Sequence, residues 1–499
     1  MGLFGVKGHA VSIDTPAKWG LYRCAIQHDY PVVRRPGPRE FPMVSAETAS
    51  APQHEVAVIN ARLDRLPSFG LSRVLFVVVG AAYFFTFYDI TAIGVTLPIL
   101  GEQFKISGAD LALPVTTNLF AYVVGAYALS SLADYIGRRK AFAISVGLLF
   151  FGGILTAFSW NLASLAIFRA ITGLGMGAEI SLAATMMTEL SPPKVRGRGI
   201  ALNVFWGGVG LAAAPWIGLG LVTWLPTNIG WRLVFAIGAL SIILLGFLND
   251  KWIPESPRWL VLHGHADRAH AILNRMEENV RQKGQHLPEP DVVHSEAELK
   301  TFPTAELLRP PYLKRVIVVF FYWFFIYMAA YAYLAYLQTL LTAMGVKDSL
   351  LLSAIGDIGF VFGGLFSLMV IEKFNRKYSV ACAGLIGMIG VGTIALSHST
   401  PVLIIGLFLA GLWIMAPALG YAYTSEVFPT RARATGMSIG DGLGHLGGAV
   451  QPYIVVAALA AFGARGTFGL IVAMIAIASA IILIGGIKTA GDHLTDLAN

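Results

Sequence analysis

The sequence predicts an all-α integral membrane protein, with twelve spanning helices in two pseudo-symmetric bundles of six. Three observations carry this. The 499-residue chain is 56% hydrophobic and only 13% charged, and its mean hydropathy is +0.67. A soluble protein of that length needs more polar surface. Apolar runs of about 20 residues, enough to cross a bilayer, recur along the chain. The second half also repeats the first.

Taken in order, residues 1–70 are rich in Pro and polar groups and read as a disordered cytoplasmic tail. Six spans are expected at 74–99, 114–133, 141–160, 163–187, 200–224 and 232–249. The charged stretch 251–313 separates them from six more, at 315–341, 349–371, 379–397, 401–422, 436–461 and 466–487. The bundles thus occupy 71–250 and 314–488, with a short tail at 489–499. Within the central stretch, "ADRAHAILNRMEENVRQ" (266–282) has the spacing of an amphipathic helix.

Basic residues cluster in alternate connections: Arg138, Arg139 and Lys140; Lys194, Arg196 and Arg198; Lys373, Arg376 and Lys377; Arg431 and Arg433. Such a bias marks the cytoplasmic side. It places both termini and the central loop there, in a multi-pass protein of the plasma membrane. The net charge of +7 has the same origin. No Lys/Arg tract with interleaved aromatics suggests nucleic acid. The two cysteines, Cys24 and Cys382, form no metal or CxxC spacing. The first 20 residues lack an apolar core, so no cleavable signal is expected.

The repeat appears on sliding the chain by 237 residues. Glu189 then meets Glu426, Pro192 meets Pro429, Arg196 meets Arg433 and Gly199 meets Gly436. The register continues through Gly207/Gly444, Gly210/Gly447 and Pro215/Pro452. A drift of one residue aligns "ADYIGRRK" (133–140) with "IEKFNRKY" (371–378). Duplicated six-helix halves are a transporter architecture, with the substrate between them near mid-membrane.

The motifs resemble the major facilitator superfamily over about residues 58–487. "LADYIGRRK" (132–140) is similar to its signature between helices two and three, departing at Ser130 and Tyr135. "RAITGLGMG" (169–177) resembles the helix-four signature. "TELSPPKVRGRG" (188–199), "PESPRWL" (254–260) and "SEVFPTRARATG" (425–436) are similar to the sugar-porter and metabolite-symporter branches. "ARLDRLP" (61–67) resembles organic-acid and nicotinate-type members. The Gln-rich helix-seven signature of sugar porters is absent from "VFFYWFFIYMAAYAYLAYLQ" (319–338). A carboxylate or aromatic acid is therefore expected ahead of a sugar or polyol. A non-transporting sensor on the same fold is the alternative of another class.

Charge inside a membrane is costly, so intramembrane ionisable residues are functional candidates. Asp89, in "FFTFYDITAIG" (84–94), is the first. Arg169 is its natural partner, because at ~1.5 Å per residue their backbones differ in depth by about 6 Å. The resemblance implies proton coupling by this pair; a static ion pair is the alternative. Glu179 is open to three readings: holding a cationic substrate, relaying a proton, or bonding a neighbouring helix. Asp441 and His445 share a helix face and read as a substrate contact or a packing pair. Asp357 is a further candidate. Tyr327 and Tyr331 line a cavity or face lipid.

Asp134, Gly137, Arg138, Arg139, Glu189, Arg196, Glu255, Arg258, Glu426 and Arg433 stand in the cytoplasmic signatures. They read as a charged latch tying the halves together when the cavity faces outward. Gly173 and Gly177, and the period-four ridge Gly436, Gly440, Gly444 and Gly448, read as close-packing faces. "GLGMG" (173–177) is no phosphate loop, and no cofactor, metal cluster or catalytic constellation is expected. Small substrate, protons and lipid are the partners expected of a monomer driven by an ion gradient.

Overall fold

The computed structural model describes residues 51–106, 108–292, 304–370, 373–428 and 433–489. Among these, eleven helical stretches are long and apolar enough to cross a bilayer. The last, Thr435–Gly485, has 51 residues, about twice what one crossing needs. It turns back at Gly463, whose φ of 66° and ψ of −177° are non-helical. That residue carries the turn between two spans, so the chain makes twelve crossings.

The first half comprises α2 (Val74–Phe104), α3 (Leu113–Ile136), α4 (Arg138–Ala157), α5 (Leu162–Leu190), α6 (Pro193–Trp224) and α7 (Thr227–Gly238). A 3-10 segment, Ala239–Phe247, completes the α7 span. In the second half, α10 (Tyr312–Ala343) and α13 (Arg376–Leu396) are continuous. The eighth span is split at Asp357 into α11 (Ser349–Gly356) and α12 (Ile358–Val370). The tenth is split at Trp413 and Ile414 into α14 (Thr400–Leu412) and α15 (Met415–Val427). The eleventh opens as α16 (Arg433–Met437), widens into a π-turn at Ser438–Gly442 and continues as α17 (Leu443–Gly485). Pro215 and Pro452, paired by the repeat, lie inside α6 and α17.

Within the halves, α3 packs on α5 and α2 on α6, while α10 packs on α17. Between them, α6 meets α12, α3 meets α17 and α2 meets α10. The last contact is close: a Cβ on Gly94 would stand 2.2 Å from the Leu334 carbonyl oxygen. Gly173 and Gly177 do pack as expected, since their Cβ atoms would lie 2.0 Å from the carbonyls of Asn118 and Tyr122 on α3. The ridge on the eleventh span is different. Gly440, Gly444 and Gly448 face α10, but Gly436 faces Phe428. The tightest approach belongs to Gly447, 2.1 Å from the Phe324 carbonyl. The π-turn shifts the period, so a strict four-residue ridge does not persist.

The tail expectation is corrected in part. Residues 1–50 lie outside the described residues, but Ala51–Asp64 form α1. This helix docks on α9 (Ala266–Arg281), the predicted amphipathic helix, and on the short α8 (Pro257–Leu262). Glu277, 3% exposed, accepts from Arg62 Nε at 2.9 Å and from Arg65 Nη2 at 2.8 Å. Burial pulls its pKa up, but the two guanidiniums outweigh this and hold it below the usual carboxylate range. Sequence pattern alone does not reveal α1, because its apolar positions are spread over a stretch that looks polar overall.

Candidate transport site

Asp89 on α2 and Arg169 on α5 meet in the first half. Arg169 Nη1 stands 2.7 Å from Asp89 Oδ2 and 2.9 Å from Oδ1, and the residues are 0% and 2% exposed. The α5 backbone is held at this level by Asn118, whose Nδ2 donates to the Arg169 carbonyl at 2.9 Å. The guanidinium carbon lies 5.4 Å from the centre of the Phe235 ring. Arg169 Nε and Nη2 are buried and have no hydrogen-bond partner among the described residues. The pair is therefore partly satisfied, which suits a contact that can break and re-form.

Glu179 lies further along α5 and is fully buried. The Thr86 hydroxyl donates to its Oε2 at 3.2 Å, whereas Oε1 has no partner among the described residues. Its neighbour is thus a hydroxyl on α2, not a cation.

Asp441 sits in the π-turn. Its Oδ1 accepts from the Tyr421 hydroxyl at 2.8 Å and from the Tyr327 hydroxyl. The π-turn is a frequent device at functional sites because it re-aims side chains. His445 Nδ1 lies 2.7 Å from the Asp441 carbonyl oxygen. A carbonyl only accepts, so Nδ1 carries the hydrogen and the neutral ring keeps Nε2 as an acceptor. The imidazole is stacked between Tyr122 of the first half, with centroids 4.1 Å apart, and Tyr327 of the second, at 3.8 Å. Tyr331 also packs on it. Asp441 and His445 therefore belong to a tyrosine cluster where the halves meet.

The helix-seven aromatics Tyr322, Trp323, Tyr327, Tyr331, Tyr333 and Tyr336 are all buried within the protein. The lipid-facing reading of Tyr327 and Tyr331 is overturned. Sequence reasoning missed Tyr122 and Tyr421, which stand in apolar runs with no pattern to mark them.

The basic end of the bundle departs from the expected latch. Arg138 pairs with Asp134 at 2.9 Å and with Glu189 at 3.1 Å. Arg376 pairs with Glu426 at 3.0 Å. Each of these bonds lies within one half, not across them. Arg376 is the repeat mate of Arg138 in the 133–140/371–378 alignment, the signal that could have found it. The side chains of Arg196 and Arg433 lie outside the described residues. Arg258 is exposed. Glu255 caps α4 instead, its carboxylate accepting from the backbone N–H of Arg138 at 2.9 Å and of Arg139 at 3.2 Å. Gly137, at φ 96°, makes room, since a Cβ there would lie 2.4 Å from Glu255 Oε2. Arg139 reaches out to Asp250.

Twelve crossings in two repeated halves, with buried charges between helices, define a secondary transporter. The family profile described as "Sugar (and other) transporter" matches residues 74–499, and the chain belongs to that family of the major facilitator superfamily. The putative metabolite transport protein YyaJ of Bacillus subtilis is 31% identical, over 77% of this chain and 85% of its own. The niacin transporter NiaP of Acinetobacter baylyi is 27% identical, over 88% of this chain and 99% of its own. Among solved structures, the proton:xylose symporter XylE from E. coli superposes with a TM-score of 0.67 at 20% identity. That match covers 85% of this chain and 98% of the other.

Proposed function

We propose that the protein is a proton-coupled symporter of a small, flat organic metabolite, an aromatic carboxylic acid in the first instance. The observation that carries the coupling is the buried Asp89–Arg169 pair at 2.7 Å. When Asp89 takes a proton, its ion pair weakens and Arg169 is freed to change partner; when it releases the proton, the pair re-forms. Alternating access links the two states to the two sides of the membrane.

The tyrosine cluster around His445 supports the substrate class. Tyr122, Tyr327 and Tyr331 close on the imidazole, and once they part from it they present aromatic faces on which a ring can stack. The acid is carried as its anion, with its ring on the tyrosines and its carboxylate held away from Asp441, so the coupling proton is the one on Asp89. The niacin carried by one relative is such a molecule. A sugar or polyol is the second reading, favoured by the hydroxyls of Tyr327 and Tyr421 meeting at 2.9 Å beside Asp441. The basic clusters support a cytoplasmic position for both termini in the plasma membrane. The Arg138–Glu189 and Arg376–Glu426 bonds act as staples of each half at the cytoplasmic rim, and the chain works as a monomer.

The test is uptake and counterflow in proteoliposomes, with and without a pH gradient, using nicotinate, 4-hydroxybenzoate, hexoses and polyols. Asp89→Asn is expected to keep exchange and lose gradient-driven accumulation, because it cannot release a proton. Full accumulation by that variant overturns the coupling role. Transport of hexoses alone overturns the substrate class.

A further inference from the structure

A small pocket lies apart from the tyrosine cluster, at the break in the eighth span. Thr91 and Gly94 of α2 and Pro215 of α6 wall it on one side, and Tyr333 and Gln338 of α10 with Asp357 wall it on the other. It therefore sits between the halves, beside the close approach of Gly94 to Leu334. Its free space is about that of one water molecule.

The polar groups around it are matched in one respect. Asp357 is 2% exposed, and its Oδ1 has no hydrogen-bond partner among the described residues. Tyr333 is 1% exposed, and its hydroxyl has none there either. Gln338 commits its amide nitrogen to Ser353 Oγ, which leaves the carboxamide oxygen free. Thr91 gives its hydrogen to the Phe87 carbonyl at 3.4 Å, which leaves its lone pairs. What these side chains can offer the pocket is oxygen, with one hydrogen left on the Tyr333 hydroxyl, and one of them is a carboxyl that becomes a negative charge on losing its proton. Asp357 stands between the C-terminal end of α11 and the N-terminal start of α12, so the two helix dipoles largely offset each other there. Two buried oxygens without partners in one small space call for a bridging species. A lone water would leave an ionised Asp357 uncompensated, at a cost of several kcal/mol, whereas a bound cation compensates it. Oxygen donors of this kind suit a hard cation. One carboxylate among neutral oxygens balances a single charge, not two.

We propose that this pocket binds one small monovalent cation of the Na+ class, held by Asp357 with the oxygens of Tyr333, Gln338 and Thr91. Its ligands come from both halves, so the ion ties α2 to α10 and to the split eighth span. Interrupted helices that hold a coupling ion near mid-membrane follow the same electrostatic logic. The site does not depend on the Asp89–Arg169 pair, and its ion adds to any proton carried there.

The experiment measures equilibrium binding of radioactive Na+ to the full chain in lipid nanodiscs, at neutral pH with no gradient. Thermal unfolding is followed in parallel in NaCl and in N-methylglucamine chloride. One saturable site and a higher Tm in NaCl are expected. Asp357→Asn should weaken binding at least ~10-fold and Tyr333→Phe by several-fold, in line with losing a charged and a neutral ligand. Asp441→Asn, in the separate tyrosine cluster, should leave it intact. Absence of saturable binding overturns the proposal. So does unchanged binding in Asp357→Asn, or a Tm that responds to acid and not to Na+, which marks Asp357 as simply protonated. If Asp357→Asn does not fold, Tyr333→Phe and Gln338→Leu decide, and unchanged binding in both overturns the site. A chain that binds Na+ yet shows no proton drive removes the symport reading and leaves this one standing.

Discussion

Asp441 gathers two tyrosine hydroxyls on one oxygen, so its orientation is set by α10 and α15 together. Removing one of those donors should loosen the cluster without dismantling it. Tyr421→Phe is expected to raise KM about tenfold, the effect of one hydrogen bond to a charged group, with the protein still folded. Asp441→Asn should weaken the pH dependence of substrate binding, because the group that repels an unprotonated acid is gone. Transport kinetics measure the first and binding isotherms at several pH values the second, and an unchanged KM in Tyr421→Phe would show that substrate never reaches this wall. The Asp89–Arg169 bond was legible in the sequence because charge in an apolar run is conspicuous and the two depths agreed. Tyr122, Tyr421 and Thr86 were not, because a tyrosine or threonine in such a run is ordinary until its neighbour on another helix is known.

Among the elements, α1 on α9 makes the clearest prediction. The folded-state pKa of Glu277 is depressed, so its contribution to docking is fully present above the unfolded value of about 4.3. It is lost as pH falls through the lower folded value. Hydrogen exchange over residues 51–64 should therefore stay slow at neutral pH and quicken in acid. Glu277→Gln should lower protection at neutral pH, because the two guanidiniums lose their anion, and should flatten that acid response. Equal protection in the two proteins at pH 7 would remove Glu277 from the interface. Gly177→Leu is a different kind of break: side-chain carbon placed against the Tyr122 carbonyl should destabilise α3–α5 packing by about 1–3 kcal/mol, read as a lower Tm. Helix existence was plain from apolar length. The splits at Asp357 and at Trp413–Ile414 and the π-turn around Asp441 were hidden, because a carboxylate or a tryptophan in an apolar run does not itself say that the helix hydrogen bonding changes there.

For the whole molecule, the duplication was readable as a register that pairs Pro215 with Pro452 and, after a drift of one residue, Arg138 with Arg376. How the rim charges would pair was not, since sequence register relates equivalent positions and says nothing of which side chains touch. The approach of Gly94 to Leu334 offers a test of alternation. Gly94→Val places bulk where a Cβ already lies 2.2 Å from a carbonyl oxygen, so α2 and α10 must separate at that level. Double electron resonance distances across that end should lengthen, and substrate exchange should slow; an unchanged distance distribution would show that the contact is not part of the cycle. The carboxylate of Glu255 on the start of α4, and the grip of Glu277 on α1, bear on a further matter, the order of manufacture. Every partner in those two contacts has been synthesised once residue 277 has left the ribosome, with about 220 residues still to come. The first six helices and the brace formed by α1, α8 and α9 can thus be assembled as a finished platform at the translocon, onto which the second six are then laid.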